Sequence, residues 1–202
     1  MIIGIAGRME AGKTSLARHL TTLIKNCNIT PFAGALKFEV KIALDDKAYP
    51  EDITMPNAVA QAFGNIAKRS PVTRWMDVYG KPTNSDARTL LQWWGTDYRR
   101  RQDPNYWIEQ YGQIYREYIK DDSHTSLCDD VRFSNELEYI SRLGGLNLWL
   151  ERTTDNAKTH SSEHSIGPKD CDFAFDSNVD LQVMLKSVTD KLLPLLDDED
   201  LI

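Results

Sequence analysis

The chain has 202 residues, of which 41% are hydrophobic and 27% are charged. This composition is typical of one ordinary globular domain, long enough to bury a core and too short for two full-sized domains. The sequence contains no apolar run of the roughly 18 residues that a membrane helix needs, and its start lacks the pattern of a secretory signal. We therefore expect no membrane partner and a cytoplasmic location.

Charge and cysteine content narrow the classes of partner further. Lys and Arg number 24 against 30 Asp and Glu, which gives a formal net charge of −6. A domain whose main task is to hold duplex DNA usually carries a basic surplus, so nucleic acid is not the expected partner. The three cysteines, Cys27, Cys128 and Cys171, lack CxxC spacing, which favours reduced thiols over a disulfide framework.

Strands and helices alternate in the first part of the predicted pattern. An apolar, β-branched run at 2–6 predicts a buried strand, and helical spacing from Lys13 predicts a helix that ends near Asn26. A short strand that ends near Ala33 and a further helix are expected next. The proline-rich part that follows predicts a helix near 57–68 and little else.

Two helices that carry most of the aromatic residues are predicted next. Ser85 or Asp86 can cap the first, and Asp103 followed by a proline begins the second, which runs from Tyr106 to Lys120. The remaining pattern predicts strands at 125–128, 146–150 and 173–175, a helix over 135–142 and a closing helix over 180–196.

This alternation indicates an α/β fold with a mostly parallel central sheet covered by helices on both faces. We find no repeat, low-complexity tract or linker, so we predict a single domain over residues 1–202. Within it we expect a helical insertion at about 46–120 and a lid-like polar segment at about 151–170.

The strongest motif in the chain is G-x-x-x-x-G-K-T at 7–14, and it lies between a predicted strand and a predicted helix. Glycines in such a loop let backbone N–H groups turn toward phosphate, and the start of the helix adds partial positive charge. Lys13 would reach the β and γ phosphates, and the Thr14 hydroxyl would face Mg²⁺. The motif predicts binding of a nucleoside triphosphate.

A second phosphate-binding region is predicted at 88–101, which holds four arginines and one aspartate. On an α-helix, Arg88, Gln92, Thr96 and either Arg99 or Arg100 would share one face. Arginine's planar fork suits phosphate oxygens, and a glutamine suits a base edge. A solvated helix face with ordinary surface arginines stays open as the alternative.

Acidic and basic residues at strand ends complete the candidate site. Asp129 and Asp130 end a predicted strand, where an acid commonly holds Mg²⁺ or its waters, although a plain turn explains paired acids equally well. Arg132 follows closely, and Arg152, just past the next strand, could reach the transferring phosphoryl group.

Four stretches give the sequence a family resemblance. They are GRMEAGKT at 7–14, RTLLQWWGTDYRRRQDPNYW at 88–107, DDVRFSNE at 129–136 and HSSE at 160–163. Together they resemble the deoxynucleoside monophosphate kinases of tailed bacteriophages, members of the P-loop nucleotide kinase superfamily. The resemblance implies the three-layer P-loop kinase fold with a helical acceptor-binding insertion.

The resemblance also implies roles for individual residues. ATP would bind at the first loop, and Asp130 and Arg132 would lie at the catalytic centre with Lys13, Arg100 and Arg152. The chain departs from the family at Thr14 and at Gly34, where family members often have aspartate. The implied ATP-binding residues are Gly7, Ala11, Gly12, Lys13, Thr14 and Ser15; the implied acceptor-binding residues are Lys37, Arg88, Gln92, Arg100, Trp107 and Glu136; and the implied metal ligands are Thr14 and Asp130.

These observations leave three candidate functions for the protein. The first is Mg²⁺-assisted phosphorylation of deoxynucleoside monophosphates by ATP, with a homodimer left open. The second is a kinase for 5-hydroxymethyl pyrimidines in phage DNA, which would need a carboxylate as base and a groove for a strand. The third, with the smallest share, is a non-catalytic nucleotide-binding switch, for which the base-reading N-K-x-D signature is absent.

Overall fold

A computed structural model describes residues 1–50, 54–80, 84–118, 124–153 and 165–197. The chain divides into two compact units. The first, which we call the sheet unit, comprises 1–32 and 112–202, and the second, the helical unit, comprises 33–111. The helical unit thus begins earlier than the insertion expected at about 46–120 and ends earlier as well.

Five strands and eight α-helices are assigned in the described residues. The strands are β1 Ile2–Gly7, β2 Cys27–Ile29, β3 Thr125–Val131, β4 Leu146–Glu151 and β5 Phe173–Asp176. The helices are α1 Lys13–Leu20, α2 Ala33–Asp46, α3 Asn57–Ala67, α4 Pro71–Tyr79, α5 Ser85–Gln92, α6 Tyr106–Tyr118, α7 Ser134–Arg142 and α8 Leu181–Asp197. A π-helical segment, Trp93–Arg100, follows α5, and a short 3₁₀ helix covers Pro168–Asp170.

The strands form one sheet in the order β2-β3-β1-β4-β5, and every pair is parallel. From β1 the chain moves past the position of β3 to form β2 at one edge of the sheet. From β3 it moves past β1 in the opposite direction to form β4. The reversal of direction falls between β1 and β3, where open parallel sheets place ligands at the carboxyl ends of their strands. The predicted α/β fold with a parallel sheet is confirmed.

Alternate residues of the strands face different helices, as the two-residue period of a strand requires. On one face, Ile3 and Ile5 pack in a buried cluster with Leu16 and Leu20 of α1 and with apolar residues of α8. On the other face, a Cβ on Gly4 would lie 2.6 Å from Cδ1 of Ile140 in α7. Both faces of the sheet are therefore covered, and the sheet forms the middle layer of three.

The helical unit has an aromatic core of its own. Trp93, Trp94 and Tyr98 of the π-helical segment are at most 6% exposed and pack with apolar residues from α2, α3 and α5. This burial makes Trp93 and Trp94 core residues of the unit rather than exposed platforms for a base.

Four sequence-based expectations about elements were wrong. The helix from Lys13 ends at Leu20 and not near Asn26, and the second strand is Cys27–Ile29, before Pro31, which has no N–H to donate. Helix α4 was missed, although Ser70 caps it by accepting the N–H of Thr73 and a proline occupies its first position. Asn84, and neither Ser85 nor Asp86, caps α5.

Within the part of the chain that the structure describes, no helix combines the length and apolar character needed to cross a bilayer. Most of the lid-like segment expected at about 151–170, including the HSSE stretch at 160–163, lies outside the described residues. All three cysteines are free thiols, as expected.

Candidate active site

The loop at 7–12 connects the end of β1 to the start of α1. Its backbone has positive φ at Gly7 (144°), Glu10 (63°) and Gly12 (87°). A Cβ on Gly7 would lie 2.6 Å from the carbonyl oxygen of Leu150 in β4, so only glycine fits there. No side-chain hydrogen bond caps the N-terminus of α1, and the partial positive charge of a helix start favours an anion there.

Lys13 folds back over this loop. Its Nζ donates to the carbonyl oxygens of Gly7 at 2.6 Å and Arg8 at 2.7 Å. The ammonium group is thereby held at the mouth of the loop, where a bound polyphosphate would place its negative charge. Ala11 beneath the loop is buried, and Ser15 is exposed on the first turn of α1.

Thr14 contacts the end of the neighbouring strand. Its Oγ1 donates to Oδ2 of Asp129 at 2.8 Å. Strand β3 carries one extra residue here, because Gly4 pairs with Cys128 whereas Ala6 pairs with Val131. Such a bulge redirects side chains at a strand end, and here it accompanies the turn of Asp129 toward α1.

Asp130 has different partners. Its Oδ1 accepts the backbone N–H of Phe32 at 2.8 Å and lies 3.3 Å from the Cys128 thiol, which donates to it. Asp130 therefore joins the end of β3 to the segment that precedes α2. Of the two acids that the sequence left open for the metal, Asp129 is the one beside Thr14, and Asp130 is not.

The environment of Asp129 disfavours its charge. Burial and the neighbouring charge of Asp130 raise the pKa of Asp129, and the bond from Thr14 and the charge of Lys13 offset only part of this. A cation bound beside this carboxylate would stabilise its charged form.

Oxygen ligands suit Mg²⁺, and the Thr14 hydroxyl and the Asp129 carboxylate are a pair of them. No group of three or more His, Cys, Asp or Glu side chains among the described residues is arranged to hold a metal ion. Mg²⁺ in nucleotide sites needs no such group, because phosphates and waters supply most of its ligands. The residues present therefore fit a magnesium ion that arrives with a nucleotide.

Arg132 and Glu136 follow β3, and their side chains have different surroundings. Glu136 is 2% exposed, and its Oε2 accepts the backbone N–H groups of Arg132 at 2.7 Å and Phe133 at 3.1 Å. This buried carboxylate caps α7, and the acceptor-binding role expected for Glu136 stays a prediction. The Arg132 side chain is exposed.

Arg152 lies just beyond β4. Its side chain is exposed, and Nη1 is 3.5 Å from the carbonyl oxygen of Ser177, at the limit of a hydrogen bond. So weak a bond leaves the guanidinium group able to turn to another partner.

The helical unit carries the predicted arginine cluster. Arg88 and Gln92 are exposed on α5, and Arg100 at the end of the π-helical segment donates to the carbonyl oxygen of Pro104 at 3.2 Å. Arg99 instead forms an ion pair with Glu39 of α2, with Nη2 and Oε1 2.6 Å apart. The sequence left open whether Arg99 or Arg100 shares the face of Arg88 and Gln92, and of these two Arg99 forms an ion pair within the helical unit.

Two further expected acceptor residues differ in their surroundings. Trp107 is 3% exposed and its Nε1 donates to the carbonyl oxygen of Gly95 at 2.8 Å, and its expected contact with the acceptor stays a prediction. Lys37 lies half-buried in the first turns of α2.

Sequence reasoning missed one residue of this region, Glu39. It accepts hydrogen bonds from Trp94, Arg99 and Tyr106. Each of these donors lies more than 50 positions away in sequence, so local patterning gave no signal for the cluster.

No model of a known protein family matches the chain. The chain is similar to a protein of Acanthamoeba polyphaga mimivirus that bears the name "Putative deoxynucleotide monophosphate kinase". The two are 26% identical over 176 residues, which cover 81% of this chain and 80% of the viral protein. The similarity thus extends over most of both chains.

Proposed function

We propose that the protein transfers the γ-phosphoryl group of ATP to a deoxynucleoside monophosphate, in the reaction ATP + dNMP → ADP + dNDP. The observation that carries the proposal is the joint presence of Lys13 on the loop carbonyls and of Thr14 on Asp129 at the ends of β1 and β3. The viral relative's name and the four family-like stretches support the choice of acceptor.

On the donor side, the loop amides and Lys13 would hold the β and γ phosphates of ATP. Thr14 and Asp129 would hold Mg²⁺, which neutralises phosphate charge when it is bound. This assignment replaces Asp130 as the metal residue, because Asp130 bonds to the Phe32 amide instead. Arg132 and Arg152 would approach the transferring group, since both side chains are exposed.

On the acceptor side, Arg88 and Arg100 would hold the monophosphate, and Gln92 the base, with Lys37 nearby. The oxygens of a monophosphate are already ionised near neutral pH, so the acceptor needs no general base. Catalysis then requires alignment and neutralisation of charge, and arginines, lysine and Mg²⁺ supply both.

The test is ADP release from ATP and Mg²⁺ with each of the four common dNMPs. We expect ADP release that depends on at least one dNMP. Arg88→Ala should raise the acceptor KM about tenfold or more, because a charge-assisted bond to phosphate is lost. Arg142→Ala, which removes an exposed arginine from the far end of α7, is the matched control and should leave the acceptor KM unchanged.

Slow ATP hydrolysis that no dNMP stimulates would contradict the proposal and favour a nucleotide-binding switch. An unchanged acceptor KM in Arg88→Ala would remove Arg88 from the acceptor site.

The adjacent carboxylates Asp129 and Asp130 favour one alternative, a kinase for 5-hydroxymethyl pyrimidines in DNA. A hydroxyl acceptor must lose a proton, and a carboxylate whose pKa is raised, as that of Asp129 is, suits this step. Phosphorylation of hydroxymethyluracil-containing DNA, with no turnover of dNMPs, would establish this alternative.

A further inference from the structure

The π-helical segment Trp93–Arg100 is eight residues long, whereas most π-helical geometry occurs as single turns inside α-helices. Its wider turn brings residues five apart onto one line. Trp93 and Tyr98 are such a pair, and their rings stack with centroids 5.4 Å apart and an interplanar angle of 6°. An α-helix would separate the same residues by about 140° around its axis. The segment therefore needs contacts that hold it in the π form.

Glu39 of α2 supplies contacts of this kind. Its Oε1 accepts from Nε1 of Trp94 at 2.8 Å and from Nε of Arg99 at 2.7 Å. Trp94 and Arg99 are also five residues apart, so one carboxylate oxygen binds two side chains that only the wide turn brings together. Reversion of the segment to α-helix would separate these two donors.

The other oxygen of Glu39 extends the cluster to the next helix. Oε2 accepts the hydroxyl of Tyr106, at the start of α6, at 2.8 Å. Burial and this bond raise the pKa of Tyr106 to about 12, so the hydroxyl keeps its proton and remains a donor. The guanidinium of Arg99 also lies over the rings of Tyr98 and Tyr106, 4.6 and 4.7 Å from their centroids. Arg99 is thus held by two aromatic rings as well as by Glu39.

The cluster has a direct consequence for Arg100. The adjacent Arg99 is fixed by Glu39, which sets the rotation of Arg100 about the helix axis relative to Gln92 and Arg88 of α5. Loss of the π turn would change the direction in which Arg100 leaves the segment, because each residue of an α-helix turns by about 100° and each residue of the wider π-helix turns by less. The position of an arginine relative to an acceptor phosphate is what the proposed reaction depends on.

We propose that Glu39 is a positioning residue of the acceptor site, which holds the π-helical segment in its register and thereby fixes the direction in which Arg100 leaves the segment. This inference rests on the proposed function and deepens it, since it assigns to the acceptor site a carboxylate that itself contacts no phosphate.

The test compares two substitutions on the same helix. Glu39→Gln removes the charge that binds Arg99 and keeps the size of the side chain. Asp45→Asn is the matched control, because Asp45 is also an α2 carboxylate that pairs with an arginine, Arg74 of α4. Glu39→Gln should raise the acceptor KM about ten- to a hundredfold and leave the ATP KM within about twofold. Asp45→Asn should leave both KM values within about twofold.

A second comparison separates positioning from direct binding. If Arg99 acts only through Glu39, Arg99→Gln should raise the acceptor KM as much as Glu39→Gln does, and the double variant should add nothing further. A larger effect of Arg99→Gln, additive with Glu39→Gln, would show that Arg99 contacts the acceptor and would overturn the assignment.

A spectroscopic readout reports the register without any acceptor. The indole N–H resonance of Trp94 should shift in Glu39→Gln and stay in place in Asp45→Asn, because only the first alters its bond. Arg99→Lys, which keeps the charge but lacks the planar fork, serves as a milder variant if Glu39→Gln does not fold, and it should also raise the acceptor KM.

The outcomes distinguish the two proposals. A wild-type protein that releases ADP without dependence on a dNMP refutes the proposed function and this inference with it. An active wild type whose acceptor KM is unchanged in Glu39→Gln, or raised equally in Asp45→Asn, refutes this inference alone.

Discussion

Asp129 is the residue at which stability and the proposed activity oppose each other. Its carboxylate is withdrawn from water beside Asp130, and both effects raise its pKa. A carboxyl group whose pKa is raised on folding lowers the free energy of unfolding in full above its folded-state pKa, and this penalty shrinks as pH falls from that value and is gone below the unfolded-state pKa. A residue retained at such a cost is typical of a functional site.

Asp129→Asn should therefore leave the metal-free protein at least as stable as the wild type near neutral pH. The same substitution should weaken Mg²⁺-dependent binding of ATP about ten- to a hundredfold, because an oxygen ligand or the orienting partner of Thr14 is lost. Thermal unfolding with and without Mg²⁺ and ATP measures both effects.

Asp130→Asn is the companion variant. It should destabilise the protein, since Oδ1 accepts the Phe32 amide, and affect Mg²⁺-dependent ATP binding less than Asp129→Asn does. The reverse order of the two variants in the binding assay would return the metal role to Asp130.

At the scale of elements, the link between α2 and α4 depends on Arg74. Its guanidinium is 11% exposed in the ion pair with Asp45, and its donors also reach the carbonyl oxygens of Ala67 at 3.3 Å and Arg69 at 2.8 Å. Bonds from Lys41 and Arg74 lower the pKa of Asp45. Three parts of the helical unit thus meet at one arginine.

A carboxyl group with a lowered pKa contributes stability above its unfolded-state pKa and loses it as pH falls through the folded-state value. Asp45→Asn should lower the free energy of unfolding by about 1 kcal/mol near neutral pH, a value kept small because Asp45 is partly exposed. The difference between variant and wild type should narrow as pH falls below about 4. Urea unfolding at several pH values measures it, and a difference that is constant with pH would show that the ion pair contributes nothing.

Local signals explain which elements the sequence predicted. Parallel strands with buried apolar runs, and the helices α3, α7 and α8, follow from hydrophobic period, and Asp180 also marks the start of α8 as a cap residue. The π-helical segment does not, because an eight-residue π turn is held by Glu39 and by ring stacking that no local pattern encodes. This is also why the α-helical spacing proposed for Arg88 to Arg100 could not tell Arg99 from Arg100.

The residues of the candidate site also fall into those that local sequence signals predict and those that depend on tertiary contacts. The loop 7–14 and the paired acids were predicted because each occupies a strand end, which sequence marks clearly. The bond of Thr14 to Asp129 accompanies a bulge in β3, and the burial of Trp107 and Glu136 depends on packing with distant segments. Motifs therefore predict which groups are present, and tertiary contacts decide which of them face a ligand.

At the scale of the whole molecule, the proposed donor residues belong to the sheet unit and the proposed arginine and glutamine ligands of the acceptor to the helical unit. An enzyme of this kind must keep water from the phosphoryl group while both substrates are bound. The fate of that group is therefore the most informative property of the intact protein.

The measurement is the destination of the label from ATP labelled at its γ-phosphate, incubated with Mg²⁺, a dNMP and the protein. We expect the label to appear in the corresponding dNDP, in amounts equal to the ADP formed. Label released as inorganic phosphate at the same rate with and without a dNMP would contradict it.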